Sequence, residues 1–223
     1  MGVVEIKNPS DKSPFIVADN LGLKTPLGNP YLNITAEIPL GSFVAVTGEH
    51  DAGKTPLLLT LAGRMRFNQG SLTIAGHKLP KGGSKVRRIA GLGLFSGLND
   101  LEQNLTVCSV AAADLELAKL PRRRSDVLKY LAEWDLEHVI NTKIRNLSEP
   151  ELVRLGIALG MVSSPKILAV DDVEHSLTHA QTHDLVEMLA NMAHEREMIV
   201  IVALTEQCCA EGCDVLIKLE RKK

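Results

Sequence analysis

Eight consecutive residues, Gly48-Glu49-His50-Asp51-Ala52-Gly53-Lys54-Thr55, set two glycines, an amine and a hydroxyl at the spacing G-x-x-x-x-G-K-[ST]. The glycines let the backbone turn tightly, so that successive N–H groups and a helix start converge on phosphate oxygens. Lys54 can reach the β- and γ-phosphates of a nucleoside triphosphate, and Thr55 can offer its hydroxyl to Mg²⁺. Asp51 and Ala52 inside the turn, and Pro56 just beyond it, complete the expected nucleotide-binding set. A second element lies far along the chain, where four apolar residues end in an acid, Ile167-Leu168-Ala169-Val170-Asp171. A buried strand of this kind delivers a carboxylate to its C-terminal edge, where Asp171 can order the Mg²⁺ shell beside the phosphate loop.

Such groups need a strand to bring the loop in and a helix to lead it out. The β-type run Ser42-Phe43-Val44-Ala45-Val46-Thr47 precedes the loop, and the helix-forming run Pro56-Leu57-Leu58-Leu59-Thr60-Leu61-Ala62 follows it. Further strands are expected at 15–18, 31–38, 71–75, 88–92, 198–203 and 215–219, with proline and glycine at 26, 28 and 30 marking a turn. Helical periodicity runs through 107–117, 125–136, 149–161 and 178–194. Apolar strands alternating with helices imply a mostly parallel α/β sheet covered on both faces. The expected organisation is a loose lead-in over 1–14 and a P-loop core over 15–96 and 146–223, with an antiparallel β subdomain at its N-terminal side. A helical subdomain over 97–145 interrupts that core.

Composition narrows the function classes. Apolar content of 45%, charge of 23% and a net charge of −2 suit a globular chain with no bulk attraction for nucleic acid. Arg122-Arg123-Arg124 reads as a solvated helix start. No apolar run reaches the roughly 18 residues a membrane-spanning helix needs, so any membrane role comes through a partner. Cys108, Cys208, Cys209 and Cys213 lack zinc-site spacing and read as small core residues in a reducing compartment. His175, His179 and His183 recur every fourth residue, but without an acid at ligand spacing.

With these motifs in order, the chain resembles the nucleotide-binding subunit of ABC transporters over nearly its whole length. Asn146-Leu147-Ser148-Glu149-Pro150-Glu151 stands in the place of that family's signature, L-S-G-G-Q, and runs without a gap to Asp171 through Arg154, Ile157, Ala158 and Pro165. The resemblance implies a P-loop fold of ABC type that binds ATP and Mg²⁺ and dimerises, with itself or with a second ATP-binding subunit. Each ATP would be clamped between one chain's phosphate loop and the other's signature helix, Ser148 included. It further implies a cytoplasmic location on the inner face of the cell membrane, held there by a permease subunit, and no nucleic-acid partner.

Departures from the family pattern point one way. Glu149 and Pro150 replace the signature glycines, removing a close backbone approach and one N–H donor. A carboxylate at ~4 Å from a phosphate charge costs about 4 kcal/mol at an effective dielectric of 20. The catalytic Glu after the acid-tipped strand is Asp172, one methylene shorter. Leu204 or Thr205 stands for the switch histidine, Ser96 or Gly97 for the glutamine facing the permease, and Thr178 for the D-loop aspartate. No aromatic for stacking adenine stands near Lys24-Thr25, and Tyr31 reads as strand-bound. The expectation is an ATP-binding transporter subunit that hydrolyses slowly and drives or regulates a permease. The alternative is a non-catalytic nucleotide-binding scaffold or regulatory subunit of a membrane complex.

Overall fold

In a computed structural model of the chain, residues 2–8, 12–26, 28–175, 177–205, 210 and 212–220 are described. The strands are β1 (Gly2–Ile6), β2 (Pro14–Thr25), β3 (Gly28–Pro39), β4 (Phe43–Thr47), β5 (Gln69–Ile74), β6 (His77–Lys78), β7 (Ala90–Leu92), β8 (Ile167–Val170), β9 (Ile199–Leu204) and β10 (Val215–Leu219). The helices are α1 (Lys54–Leu61), α2 (Gly83–Arg88), α3 (Val107–Leu117), α4 (Arg124–Ala132), α5 (Glu149–Met161) and α6 (His179–Glu195).

Two sheets carry the larger unit, residues 1–91 and 165–223. The first has the order β1-β10-β4-β9-β8-β7, and the pairs β10–β4, β4–β9 and β8–β9 are parallel. Every residue of β4, β8 and β9 is buried, as expected for strands covered on both faces. Each fully buried aliphatic side chain there contributes about 1.5–3 kcal/mol. In register, Val44 lies beside Ile201 and Val215, and Ala169 beside Ile201, which aligns the C-terminal ends of β4, β8 and β9 on one edge. The second sheet is antiparallel, in the order β3-β2-β5-β6. Its strands alternate, and β3 buries Tyr31, Leu32, Ile34, Ala36 and Ile38.

The smaller unit, residues 92–164, is helical. Thr106 caps α3 by accepting from the Ser109 amide, and Val107, Ala111 and Leu115 form its buried stripe. The corresponding positions of α4 are Val127 and Leu131.

Four expectations need correction. Gly2–Ile6 is no loose lead-in: it pairs antiparallel with β10, Val4 opposite Ile217. Helical structure at 125–136 stops at Ala132, because Asp135 takes the left-handed conformation at φ 53°. The strand expected at 88–92 begins at Ala90, since the basic turn before it coils into α2 around buried Val86. The helical unit extends past 145 to Ser164 and takes α5 with it. The Tyr130 hydroxyl donates to the Ala158 carbonyl at 2.5 Å, and Arg154 pairs with Asp135 at 2.8 Å, tying α5 into that unit.

Candidate functional site

The phosphate loop leaves β4 at Thr47 and enters α1 at Lys54. Gly53 sits at φ 94°, and a Cβ there would lie 2.0 Å from the Pro30 carbonyl oxygen. At Gly48 a Cβ would meet the Leu219 carbonyl oxygen at 2.6 Å. Both glycines are therefore required by close backbone approach, and Gly53 by its backbone angle as well. Asp51 also takes positive φ, 60°, a region that Asp tolerates better than most residues. The Ala52 amide donates to the Glu49 carbonyl at 3.1 Å and closes the turn.

No side chain caps the start of α1, and no acid lies in its first turn. The first amides of a helix are orphan donors at its positive end, so this start favours an anion. Lys54 is 9% exposed, and its ammonium donates to the Gly48 and Glu49 carbonyls at 2.6 and 3.0 Å. Pro56, the third residue of α1, lends its carbonyl to the Thr60 hydroxyl at 2.8 Å. Thr60 in turn shares a 2.6 Å hydrogen bond with the Tyr31 hydroxyl, whose burial pushes its pKa up to about 12.

Thr55 and Asp171, 116 residues apart, meet at the loop's mouth, where the Thr55 hydroxyl donates to the Asp171 carboxylate at 2.5 Å. Burial pushes the Asp171 carboxyl above its ordinary range; the Thr55 hydroxyl draws it back, and Asp172 raises it further. A hydroxyl and a carboxylate are hard oxygen donors, the set that suits Mg²⁺. Asp172 is exposed and takes φ 47°, just beyond the end of β8.

Beside Asp172 opens a cavity of about 290 Å³ lined by His50, Glu174, His175, His179 and Thr205. The Thr205 amide donates to the Glu174 carboxylate. Of the two residues expected in the switch position, Leu204 is buried in β9 and Thr205 lines this cavity. Glu174 and His50 were not singled out from the sequence. The available signal was an acid two residues past Asp172 and an imidazole inside the phosphate loop.

Elsewhere, side chains are committed to local structure. Thr178 caps α6: its hydroxyl accepts from the Gln181 amide at 3.3 Å, and the Gln181 side chain accepts from the Thr178 amide at 2.9 Å. In the helical unit Ser148 caps α5, and the Glu151 carboxylate accepts from its amide at 2.8 Å and its hydroxyl at 2.7 Å. The Ser148 hydroxyl, against some burial and with help from the Ser148 amide and His138, holds the Glu151 carboxyl below its ordinary range. Glu149 is exposed, and Pro150 fills the second helical position without an N–H to offer. Also in that unit, the Gly97 amide donates to both carboxylate oxygens of Asp100, closing a turn that leaves Ser96 exposed.

Among the described residues, no group of three or more His, Cys, Asp or Glu could hold a metal ion, and no helix is long and apolar enough to cross a membrane. Cys213 is buried and Cys108 half-buried; Cys208 and Cys209 lie outside the described residues.

Residues 31–174 match the family model described as ABC transporter. A phosphonates import ATP-binding protein of Nostoc sp. is 30% identical over 192 residues, covering 80% of this chain and 77% of that protein. A tyrosine transport ATP-binding protein of Clostridioides difficile is 23% identical over 214 residues, covering 90% and 81%. Against the methionine import ATP-binding protein of Bordetella avium identity is 30%, with 79% of this chain and 50% of that protein covered. The chain thus spans about half of the methionine import relative, and 39% of an arabinose import relative from Mannheimia succiniciproducens. Among solved structures, the dimeric bacterial ABC transporter cassette MJ0796 aligns with a TM-score of 0.77 at 23% identity, covering 92% of this chain and 94% of that one. For cbiO1 from Clostridium perfringens the TM-score is 0.74 at 21% identity, covering 87% and 80%. At these identities the structural likeness speaks to the fold.

Proposed function

The chain belongs to the ABC transporter family, and from that premise we propose that it is the ATP-binding subunit of an ABC-type membrane transporter, hydrolysing ATP slowly to drive or regulate a permease partner. The observation that carries this reading is the 2.5 Å contact between the Thr55 hydroxyl and the Asp171 carboxylate at the mouth of the phosphate loop. It supports an oxygen-lined place for Mg²⁺ beside an uncapped helix start, where a triphosphate has both a cation and amides to meet. Gly48, Asp51, Ala52, Gly53, Lys54, Thr55 and Pro56 would surround the nucleotide, and Thr55 and Asp171 would hold Mg²⁺. When bound, that ion draws negative charge from the phosphate oxygens.

The chain's own groups do the rest. Lys54 exchanges its two loop carbonyls for phosphate oxygens, and Asp172 orients the attacking water. Because Asp172 is one methylene shorter than the family's glutamate, water placement is offset, and a displacement near 1 Å costs ~10²-fold in rate. Ser148 is the residue offered to a nucleotide on a partner subunit, and its hydroxyl is already engaged by Glu151. Slow turnover, dimerisation with itself or a second ATP-binding subunit, and a location on the cytoplasmic face of the membrane follow as parts of one proposal.

Calorimetry with Mg-ATP tests the binding half: the unaltered chain gives heat, and Lys54→Ala abolishes it. Turnover at tens per second by the chain alone would overturn the slow-hydrolysis half. The engagement of the Thr205 amide by Glu174 favours a second, non-catalytic reading, because it places a fixed anion beside Asp172. Under that reading Asp172→Asn leaves cellular function intact while Lys54→Ala destroys it.

A further inference from the structure

A second cavity, of about 520 Å³, opens at the other end of α1 from the phosphate loop. It begins at Gly63, two residues past the end of that helix, and an eight-residue α-helix is roughly 12 Å long, so the two places are separate. Arg64, Arg66, Lys81 and Arg87 line it, with Met65 and Phe67 adding apolar wall, and no carboxylate is among its lining residues.

The sequence around it is unbalanced in the same sense. From Ala52 to Asn99 the chain holds eight of its 25 lysines and arginines and none of its 27 acids. None of the ion pairs among the described residues involves the four lining cations. Two of them are positioned by backbone: Arg64 donates to the Ala90 carbonyl at 3.3 Å, and Arg87 to the Gly63 carbonyl at 3.1 Å. A guanidinium has five N–H donors, so one anchoring bond leaves a fork for an anion. Burial first, and the like charge of Arg87 second, hold the Arg64 guanidinium below its ordinary range. All four keep solvent access while lining one hollow, so an anion from solution can reach them together.

We propose that this cavity is an anion site distinct from the phosphate loop, and that it takes a compact ligand carrying two or more phosphate groups. Planar guanidinium forks match phosphate oxygens in pairs, and four cations call for an anion of several charges. The volume suits a small molecule or a single head group. That phosphate chemistry is shared by a soluble polyphosphorylated metabolite and by the head group of an anionic lipid.

The test titrates pyrophosphate, without magnesium, into the full chain carrying Lys54→Ala, which removes the phosphate loop as a competitor. In parallel, the unaltered chain is sedimented with vesicles of phosphatidylglycerol and phosphatidylcholine in equal parts, and with phosphatidylcholine alone. The probing variant is Arg66→Glu with Lys81→Glu, two exposed side chains of the cavity wall; Lys129→Glu, on exposed α4 surface, is the control. The proposal expects binding of pyrophosphate, of phosphatidylglycerol vesicles or of both to fall at least about tenfold in the double variant and to hold in the control. Loss confined to pyrophosphate identifies a soluble ligand, and loss confined to vesicles a head group. Neither probe binding, equal binding by the double variant, or selective capture of a polyglutamate peptide would overturn it. Mg-ATP binding by Arg66→Glu/Lys81→Glu is expected to match the unaltered chain, so this proposal and the ATP reading fail separately.

Discussion

Asp171→Asn should move stability and ligand binding in opposite directions. The change keeps shape and an oxygen that can accept the Thr55 hydroxyl, and it removes one half-buried negative charge beside Asp172. The folded carboxyl is raised above its ordinary value of about 4, chiefly by burial. A raised carboxyl lends stability below its ordinary pKa and loses it as pH rises through the folded value. At neutral pH without metal, then, the charged group is a burden, and the variant should melt a few degrees higher. That gap should close in acid, where the native carboxyl is protonated. For Mg-ATP the sign reverses. A unit charge pair at 4 Å is worth about 4 kcal/mol at an effective dielectric of 20, and twice that for a divalent ion, with most of it cancelled by desolvation. If about 2.8 kcal/mol survives, affinity falls about 100-fold. Scanning calorimetry between pH 4 and 8 and isothermal titration with Mg-ATP measure the two arms. A variant that melts lower than the native chain at neutral pH without metal, or that binds Mg-ATP undiminished, would refute the reasoning.

Other outcomes follow from single contacts. Gly53→Ala forces a side chain to φ 94° and a Cβ to 2.0 Å from the Pro30 carbonyl; strain alone costs about 1–2 kcal/mol, and Mg-ATP heat should vanish in calorimetry. Asp214→Ala strands the Phe43 amide, now bonded at 2.8 Å, together with His194 and Asn8, so urea unfolding should show a loss of about 1–3 kcal/mol. Burial opposes the Asp214 charge, but the Phe43 amide, His194 and Asn8 outweigh it and hold the carboxyl below its ordinary range. Its contribution is therefore present above about pH 4, and the gap between native and Asp214→Ala should narrow as pH falls through the folded value. Tyr31→Phe should lose about 1 kcal/mol in the same assay; in the native chain, absorbance titration should find one tyrosine ionising near 12.

What could be read without coordinates was local. Gly48, Gly53, Lys54 and Thr55 declare the loop by spacing, and the runs 43–46, 167–170 and 199–204, apolar at every position, declare parallel strands by lacking a polar face. Tyr31 was legible as a strand residue because β3 alternates. What stayed hidden depends on partners distant in sequence. β1 exists because β10, over 200 residues later, gives it a ladder. The membership of α5 is decided by the hydrogen bond from Tyr130, 28 residues before its acceptor. Glu174 gains meaning from an amide 31 residues on, and the basic hollow from turns that gather residues 63–87 into one concavity.

Pro30 and Tyr31 give the antiparallel sheet a hold on chemistry in which it takes no direct part. One neighbour sets how near β3 can come to the bend at Gly53, and the other latches the middle of α1 through Thr60. Bend and helix are thereby indexed to one rail. Sliding β3 along its ladder would shift the floor beneath the phosphates, so variation at the seam with β2 should surface as altered nucleotide affinity with every motif residue intact.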